Sequence, residues 1–127
     1  MLFIEEYSFQ ARKEESDRVR HKHPDKVPLI IERVEKNTTL PPLDKKKFLV
    51  PGDITVGQLI FVIRKRIKLR PDQAIFLFTN GVIPPSSSVL SIVYNEHKNE
   101  DGFLYCKVTS ETTFGARSKD LFKVTAN

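Results

Sequence analysis

The segment from Thr55 to Lys68 constrains the fold most, because its apolar residues recur with a clear helical period. Those residues lie on one face of a helix: Val56, Leu59, Ile60, Ile63 and Ile67. Thr55 and Gln58 fit a capping box at the start, and the basic residues at 64–68 suit the C-terminal end of a helix dipole. We therefore predict an amphipathic helix whose apolar face is buried in the core.

Four apolar segments with the character of β-strands flank this helix. They are predicted at residues 27–34, 45–50, 74–79 and 103–110. Asn80-Gly81 is a strong tight-turn signal after the third segment, and Asp101-Gly102 is another before the fourth. Ser88 is a candidate cap for a short helix between the last two strands.

The first 26 residues are dense in charge, and we predict one or two helices there. The residues that would share one helical face are Phe9, Arg12, Ser16 and Val19. The predicted order is helices, strand, strand, helix, strand, short helix, strand and an irregular tail. For a chain of 127 residues this order predicts one α+β domain, a ubiquitin-like β-grasp roll with extra N-terminal helices.

The sequence offers little support for an enzyme. Cys106 with His97 is the only thiol–imidazole combination, and we expect the cysteine to fill a strand position as a small hydrophobe. His21 and His23 are two residues apart on a predicted helix, so they point in different directions and lack a third metal ligand. We expect no catalytic residue, no metal site and no cofactor.

The charge balance argues against nucleic acid as the main partner. The formal net charge is +5, but 16 acidic residues are mixed among 21 basic ones. The sequence has no zinc-ligand spacing, glycine-rich phosphate loop or RNA-binding motif. The longest apolar run, Leu59 to Ile63, is too short to cross a membrane, so membrane contact would need a surface patch or an added lipid.

The segment from Lys45 to Val50 has the features of a binding edge. Lysines at one end and Pro51 at the other are typical of a strand at the edge of a sheet. The lysines fit either a solvated edge that blocks aggregation or a patch for phosphate or membrane. Phe48 and Val50 share one face and Leu49 lies on the other, which favours an edge that accepts an added peptide strand.

Several ordered blocks of residues point to a known family. They are residues 47–51 (KFLVP), 55–58 (TVGQ), 62–67 (VIRKRI), 74–78 (AIFLF), 96–98 (EHK), 101–105 (DGFLY) and 113–115 (TFG). With these blocks the chain closely resembles the autophagy ubiquitin-like modifiers, relatives of the GABA-receptor-associated protein and the microtubule-associated light-chain proteins. The resemblance runs from about Glu6 to Gly115.

The resemblance implies a modifier rather than an enzyme. Family members are made as precursors, and a cysteine protease cuts after the glycine that matches Gly115, here before Ala116. Activating and conjugating enzymes then transfer that glycine to the amine of phosphatidylethanolamine. This implies a monomeric cytoplasmic protein that joins the autophagosome membrane after lipidation. Taken without the resemblance, Gly115 fits either a flexible tail or an acyl-transfer terminus.

The resemblance also implies binding of short aromatic-x-x-aliphatic motifs in cargo receptors and adaptors, with the motif backbone paired to the second strand. Carried over by position, the aromatic pocket consists of Glu15, Val19, Pro28, Ile30, Lys47, Leu49 and Phe103. The aliphatic pocket consists of Phe48, Val50, Pro51, Leu59, Val62, Ile63 and Arg66. Lys26, Lys47 and Arg66 would contact acidic residues that flank the motif.

The chain departs from the family pattern in two places. The loop from Asn37 to Pro42 is one residue longer than usual, and the tail of twelve residues after Gly115 is longer than in many members.

We divide the chain into an N-terminal helical extension packed on the core (1–26), a ubiquitin-like core (27–110), a flexible C-terminal arm (111–115) and a removable propeptide tail (116–127). The alternatives are a motif-binding scaffold that is never conjugated, an enzyme built on Cys106 and a nucleic-acid binder.

Overall fold

Helices and strands follow one another in the order that the sequence predicts. The computed structural model describes residues 1–35 and 38–111. In chain order the elements are α1 (Phe3–Glu6), α2 (Phe9–Lys22), β1 (Lys26–Arg33), β2 (Lys47–Pro51), α3 (Val56–Arg66), β3 (Phe76–Phe78), α4 (Leu90–His97) and β4 (Leu104–Thr109). None of the helices in this part of the chain is long and apolar enough to span a membrane.

The strands form one mixed sheet in the order β2-β1-β4-β3. β1 pairs antiparallel with β2 and parallel with β4, and β3 pairs antiparallel with β4. The two central strands, β1 and β4, are parallel to each other. A parallel pair needs a long crossover connection, which agrees with their wide separation in sequence. β2 and β3 are left at the two edges. This confirms the predicted α+β, ubiquitin-like fold with N-terminal helices.

β1 is covered on both faces, because its residues from Val27 to Glu32 are all buried. Side chains along a strand point alternately to opposite faces. Leu29 and Ile31 join the main core with residues of α3 and α4. Ile30 belongs instead to a second cluster, with Phe3 and Phe103, on the face that carries α1 and α2. The sheet thus lies between two groups of helices.

The capping box predicted at the start of α3 is confirmed. Thr55 Oγ1 accepts a hydrogen bond from the backbone nitrogen of Gln58 at 3.1 Å, and Gln58 Oε1 accepts one from the backbone nitrogen of Thr55 at 2.8 Å. Beyond the helix, the guanidinium of Arg64 donates to the carbonyls of Gln73 at 2.7 Å and Arg70 at 2.9 Å. The start of the helix is therefore capped by its own side chains, and Arg64 ties the following loop to the last turns of the helix.

Ser88 does not cap α4, and this prediction is wrong. The N-cap residue is Val89, which has no side-chain cap. The backbone nitrogens of Leu90 and Ser91 instead donate to the carbonyls of Ile54 and Gly52, each at 2.8 Å. The loop before α3 therefore satisfies the first amides of α4.

One further detail differs from the prediction. The third strand is only Phe76–Phe78, because Thr79 already pairs with Val82 across the tight turn. Along the predicted face of α2 the burial is uneven: Phe9 is 47% exposed, whereas Arg12 and Ser16 are buried. Phe9 is the first residue of the helix, so it lies at the end of the buried stripe.

Candidate functional site

The two sets of predicted pocket residues meet at β2, on opposite faces of the sheet. Leu49 lies opposite Pro28, and Lys47 lies opposite Ile30, in the antiparallel register with β1. Phe48 alternates with them and belongs to the main core. The residues assigned to the aromatic pocket therefore lie where α2 faces β2, here called the α2–β2 junction. Those assigned to the aliphatic pocket lie where α3 faces β2, the α3–β2 junction.

An ion pair connects the two sides of the α2–β2 junction. Glu15 Oε2 of α2 accepts a hydrogen bond from Lys47 Nζ of β2 at 2.8 Å. The side chains are 27% and 55% exposed, respectively, so water solvates the pair. Exposed pairs of this kind contribute little to stability and exchange readily with other charges.

Phe3 fills the inner end of the α2–β2 junction. Its ring packs edge-to-face on the ring of Phe103, with 5.4 Å between the centroids, and both rings are buried with Ile30. The backbone nitrogen of Phe3 also donates to Glu32 Oε2 at 2.8 Å. Val19 and Leu49 remain half-buried at the outer end. An entering aromatic side chain would therefore meet these two residues first.

The aliphatic residues divide into a buried group and an exposed group. Four of them belong to the main core: Phe48, Val50, Leu59 and Ile63. The other three are exposed: Pro51, Val62 and Arg66. The accessible part of the α3–β2 junction is therefore smaller than the predicted set, and the helical period of α3 is the reason that Leu59 and Ile63 are buried.

Arg66 and Lys45 lie over the ring of Phe48 at this junction. The guanidinium carbon of Arg66 is 5.8 Å from the ring centroid, and Lys45 Nζ is 4.8 Å from it. Arg66 also binds both carboxylate oxygens of Asp44, at 2.8 and 3.1 Å. This hydrogen bonding lowers the pKa of Asp44. Arg66 and Lys47 thus both hold a carboxylate of the protein itself, and Lys26 lies opposite Pro51 at the end of β2.

The comparisons with known proteins agree with this architecture. The family model described as "Autophagy protein Atg8 ubiquitin like" matches residues 11–115. The chain belongs to the Atg8 family. Autophagy-related protein 8 of Schizosaccharomyces pombe is 52% identical over 113 residues, which cover 89% of this chain and 93% of the relative. Autophagy-related protein 8d of Arabidopsis thaliana is 50% identical with the same two coverages.

A solved relative has the same fold. The crystal structure of Trypanosoma brucei ATG8 superposes with a TM-score of 0.81 at 42% identity, covering 86% of this chain and 93% of that chain. The family predicted from the sequence is therefore confirmed, and this Atg8 family protein is an autophagy-related, ubiquitin-like protein.

Cys106 and His97 of this Atg8 family protein have separate partners. Burial raises the pKa of the Cys106 thiol to about 12, against the smaller effect of a hydrogen bond with Thr79. His97 Nδ1 lies 3.2 Å from Asn80 Nδ2. A buried neutral thiol is a poor nucleophile. No three His, Cys, Asp or Glu side chains within residues 1–35 and 38–111 are grouped to hold a metal ion.

A buried polar cluster behind the α2–β2 junction has no local signature in the sequence. Arg12 of α2 and Asp101, 89 positions later, form an ion pair at 2.5 Å, with side chains 10% and 0% exposed. Arg12 and Ser16 were predicted to share a helical face, and Asp101 was predicted in a turn. Nothing in either local pattern shows that the three residues meet.

Gly115 and Ala116 lie outside the residues that the structure describes. The described chain ends at Glu111, two positions after β4. The predicted arm and tail therefore remain predictions. The family match itself extends to Gly115 and stops there.

Proposed function

We propose that this protein is a ubiquitin-like modifier of autophagy that binds aromatic-x-x-aliphatic motifs along β2 and is conjugated through Gly115 to phosphatidylethanolamine. The binding half rests on one observation, the edge position of β2 with apolar side chains on both of its faces. The conjugation half rests on the family resemblance and on the end of the family match at Gly115. We infer a modifier without catalytic activity of its own.

The spacing of the motif matches the two junctions. In an extended peptide the side chains of residues i and i+3 point to opposite faces and are separated by about 10 Å. A peptide added beside β2 would therefore direct its aromatic residue toward α2 and its aliphatic residue toward α3. Lys47 and Leu49 of the first junction precede Val50 and Pro51 of the second, so the bound motif would run parallel to β2.

The charges near β2 favour acidic residues around the motif. Lys47 is paired with Glu15, and Arg66 is paired with Asp44. An acidic flank would replace one carboxylate with another at each cation, at little net cost because both pairs are exposed. The partners proposed here are motif-bearing cargo receptors and adaptors, together with the processing protease and the activating and conjugating enzymes.

Leu49 and Val62 are the residues at which motif binding is best tested. Phe48 belongs to the core, so its removal would destabilise the fold as well as the site. We expect Leu49→Ala, on the α2 side, and Val62→Ala, on the α3 side, each to weaken binding of a fluorescent motif peptide several-fold. Together they should reduce affinity at least about tenfold, equivalent to 1.4 kcal/mol.

Phe61→Ala is the matched control for Val62→Ala. Phe61 is the neighbouring residue on α3, it is 58% exposed, and it is not among the predicted pocket residues. Its removal should leave peptide affinity unchanged. If the double variant Leu49→Ala/Val62→Ala folds and binds as tightly as the wild type, β2 is not the binding edge.

Conjugation is tested by the position of the C-terminus. A chain that ends at Gly115 should be lipidated by the family's activating and conjugating enzymes with ATP, without the protease, and should float with liposomes. A chain that ends at Phe114 should stay in solution. Phosphatidylethanolamine supplies two acyl chains in one step, which anchor stably where one chain is marginal. The lipidated form would then lie on the autophagosome membrane and the free form in the cytoplasm.

The full-length chain gives the complementary result. The protease should release residues 116–127, and the mass of the remaining product should correspond to a chain that ends at Gly115. If the Gly115-terminated chain floats no better than the Phe114-terminated one, the protein is instead a motif-binding scaffold that is never conjugated.

A further inference from the structure

A buried carboxylate lies where α2, the start of β4 and the α2–β2 junction meet. Asp101 Oδ2 accepts hydrogen bonds from Arg12 Nη1 and from the hydroxyl of Tyr105, both at 2.5 Å. Asp101 Oδ1 accepts one from the backbone nitrogen of Phe103 at 2.9 Å. The carbonyl of Asp101 accepts another from Ser16 Oγ. Asp101 therefore connects α2 with the start of β4 and with Phe103 just before it.

These contacts act on two different walls of the junction. Arg12 and Ser16 lie one turn apart on α2, the helix that also carries Glu15 and Val19 at the junction. Phe103 is the aromatic residue at the inner end, where it packs on Phe3. One residue thus makes hydrogen bonds both to the helix wall and to the aromatic floor.

The hydrogen bonds of Asp101 do not extend to the other junction. No residue of α3 takes part in them in the described part of the chain. The α3–β2 junction lies on the opposite face of the sheet, in contact with the main core. The hydrogen bonds of Asp101 therefore reach the α2–β2 junction and not the α3–β2 junction.

We propose that Asp101 is a positioning residue for the α2–β2 junction, which sets how tightly an aromatic side chain is held there. Its carboxylate holds α2 through Arg12 and the floor through Phe103, and its backbone carbonyl holds α2 through Ser16. Its full burial makes the arrangement stiff, because a buried carboxylate without its partners is strongly unfavourable. This inference rests on the proposed motif binding and assigns a determinant of its aromatic half.

The test compares three peptides on wild type and Asp101→Asn. The peptides are the intact motif, the motif with its aromatic residue changed to Ala, and the motif with its aliphatic residue changed to Ala. On the wild type each change should weaken binding at least tenfold. On Asp101→Asn the aromatic change should reduce the affinity threefold or less, and the aliphatic change should still reduce it at least tenfold. A simple loss of folded protein would weaken all three peptides equally.

Two more variants keep the test decisive. Tyr105→Phe removes one hydrogen bond to the same carboxylate and keeps the ring beside Phe103, so it replaces Asp101→Asn if that variant does not fold. Leu90→Ala is the control, because Leu90 belongs to the main core and takes no part in the hydrogen bonds of Asp101. It should lower stability and leave both peptide penalties at their wild-type values.

The possible failures are distinguishable. If the wild type binds and both penalties are normal on the folded Asp101 or Tyr105 variant, Asp101 is not a positioning residue, although the proposed motif binding stands. If Leu90→Ala also reduces the aromatic penalty, the effect is general destabilisation and the inference is overturned. If the wild type shows neither penalty, the proposed motif binding fails and this inference fails with it.

Discussion

Glu15 of α2 and Lys47 of β2 join helix and edge strand through a 2.8 Å ion pair at the α2–β2 junction. Such exposed pairs contribute only about 0.2–1 kcal/mol, so this one is a contact that a ligand can exchange. If motifs bind along β2 as proposed, an acidic residue preceding the motif would lie beside the Lys47 ammonium. Glu15 would then compete with that residue for the same cation.

Glu15→Gln should increase the affinity for peptides with an acidic residue before the motif by about two- to fivefold, since Lys47 loses its internal partner. Peptides with a neutral flank should bind as before. Isothermal titration calorimetry with the two peptides measures the difference. Asp17→Asn is the control, because it removes the same charge from α2 but breaks a pair with Lys13. If both variants bind the acidic peptide more tightly by the same factor, the cause is the lower negative charge of α2 and not the release of Lys47.

Phe3→Ala should destabilise the protein by about 3–5 kcal/mol, because it removes a ring that is buried against Phe103 and Ile30. Phe9→Ala removes the same group six positions later from an exposed site and should cost less than about 0.5 kcal/mol. Urea unfolding followed by circular dichroism gives both values. Similar losses for the two variants would contradict the burial of Phe3.

Gly102→Ala should cost about 2 kcal/mol or more. Gly102 has a φ of +92°, which residues with a side chain rarely adopt. A Cβ there would also lie 3.0 Å from Ser16 Cβ and closer still to Ser16 Oγ, and it would push α2 from the sheet. Gly81→Ala, at a φ of +74° in the tight turn, is the comparison for a second glycine with positive φ. If thermal unfolding shows equal losses of stability for the two variants, the contact with Ser16 adds nothing to the effect at Gly102.

Stability should fall as the pH rises above about 9 because of Cys106. Burial raises the pKa of its thiol from 9.0 to about 12. A raised pKa contributes stability that is complete below the unfolded pKa and is lost between that value and the folded pKa. The loss should approach about 1.4 kcal/mol per pH unit between about pH 9 and pH 11.

Cys106→Val separates this contribution from that of the tyrosines. Burial also raises the pKa of Tyr94 and Tyr105, and both remain in the variant. Urea unfolding across this range should therefore show a shallower decline in the variant. The folded wild type should also resist alkylation by iodoacetamide at about pH 8. Parallel stability curves, or rapid alkylation of the native protein, would show that the thiol is accessible.

The sequence by itself determined the local elements and the family. Thr55 and Gln58 cap α3 as predicted, because a capping box joins residues three positions apart. Asn80 and Gly81 both have positive φ, as the tight turn demands. The alternation of Phe48 and Leu49 across β2 follows from the strand period, so their opposite faces were also predictable. Each of these features depends on neighbours a few residues away.

Only the tertiary structure decided how the α2–β2 junction is built. The parallel pairing of β1 with β4 brings Ile30 beside Tyr105. Phe103 and Asp101 lie just before the start of β4. Arg12 meets Asp101 there across 89 positions, and Phe3 reaches Ile30 and Phe103. These contacts depend on which strands become neighbours and which faces they turn to α1 and α2. That arrangement depends on pairing between strands that are distant in sequence, so no local pattern in the sequence encodes it.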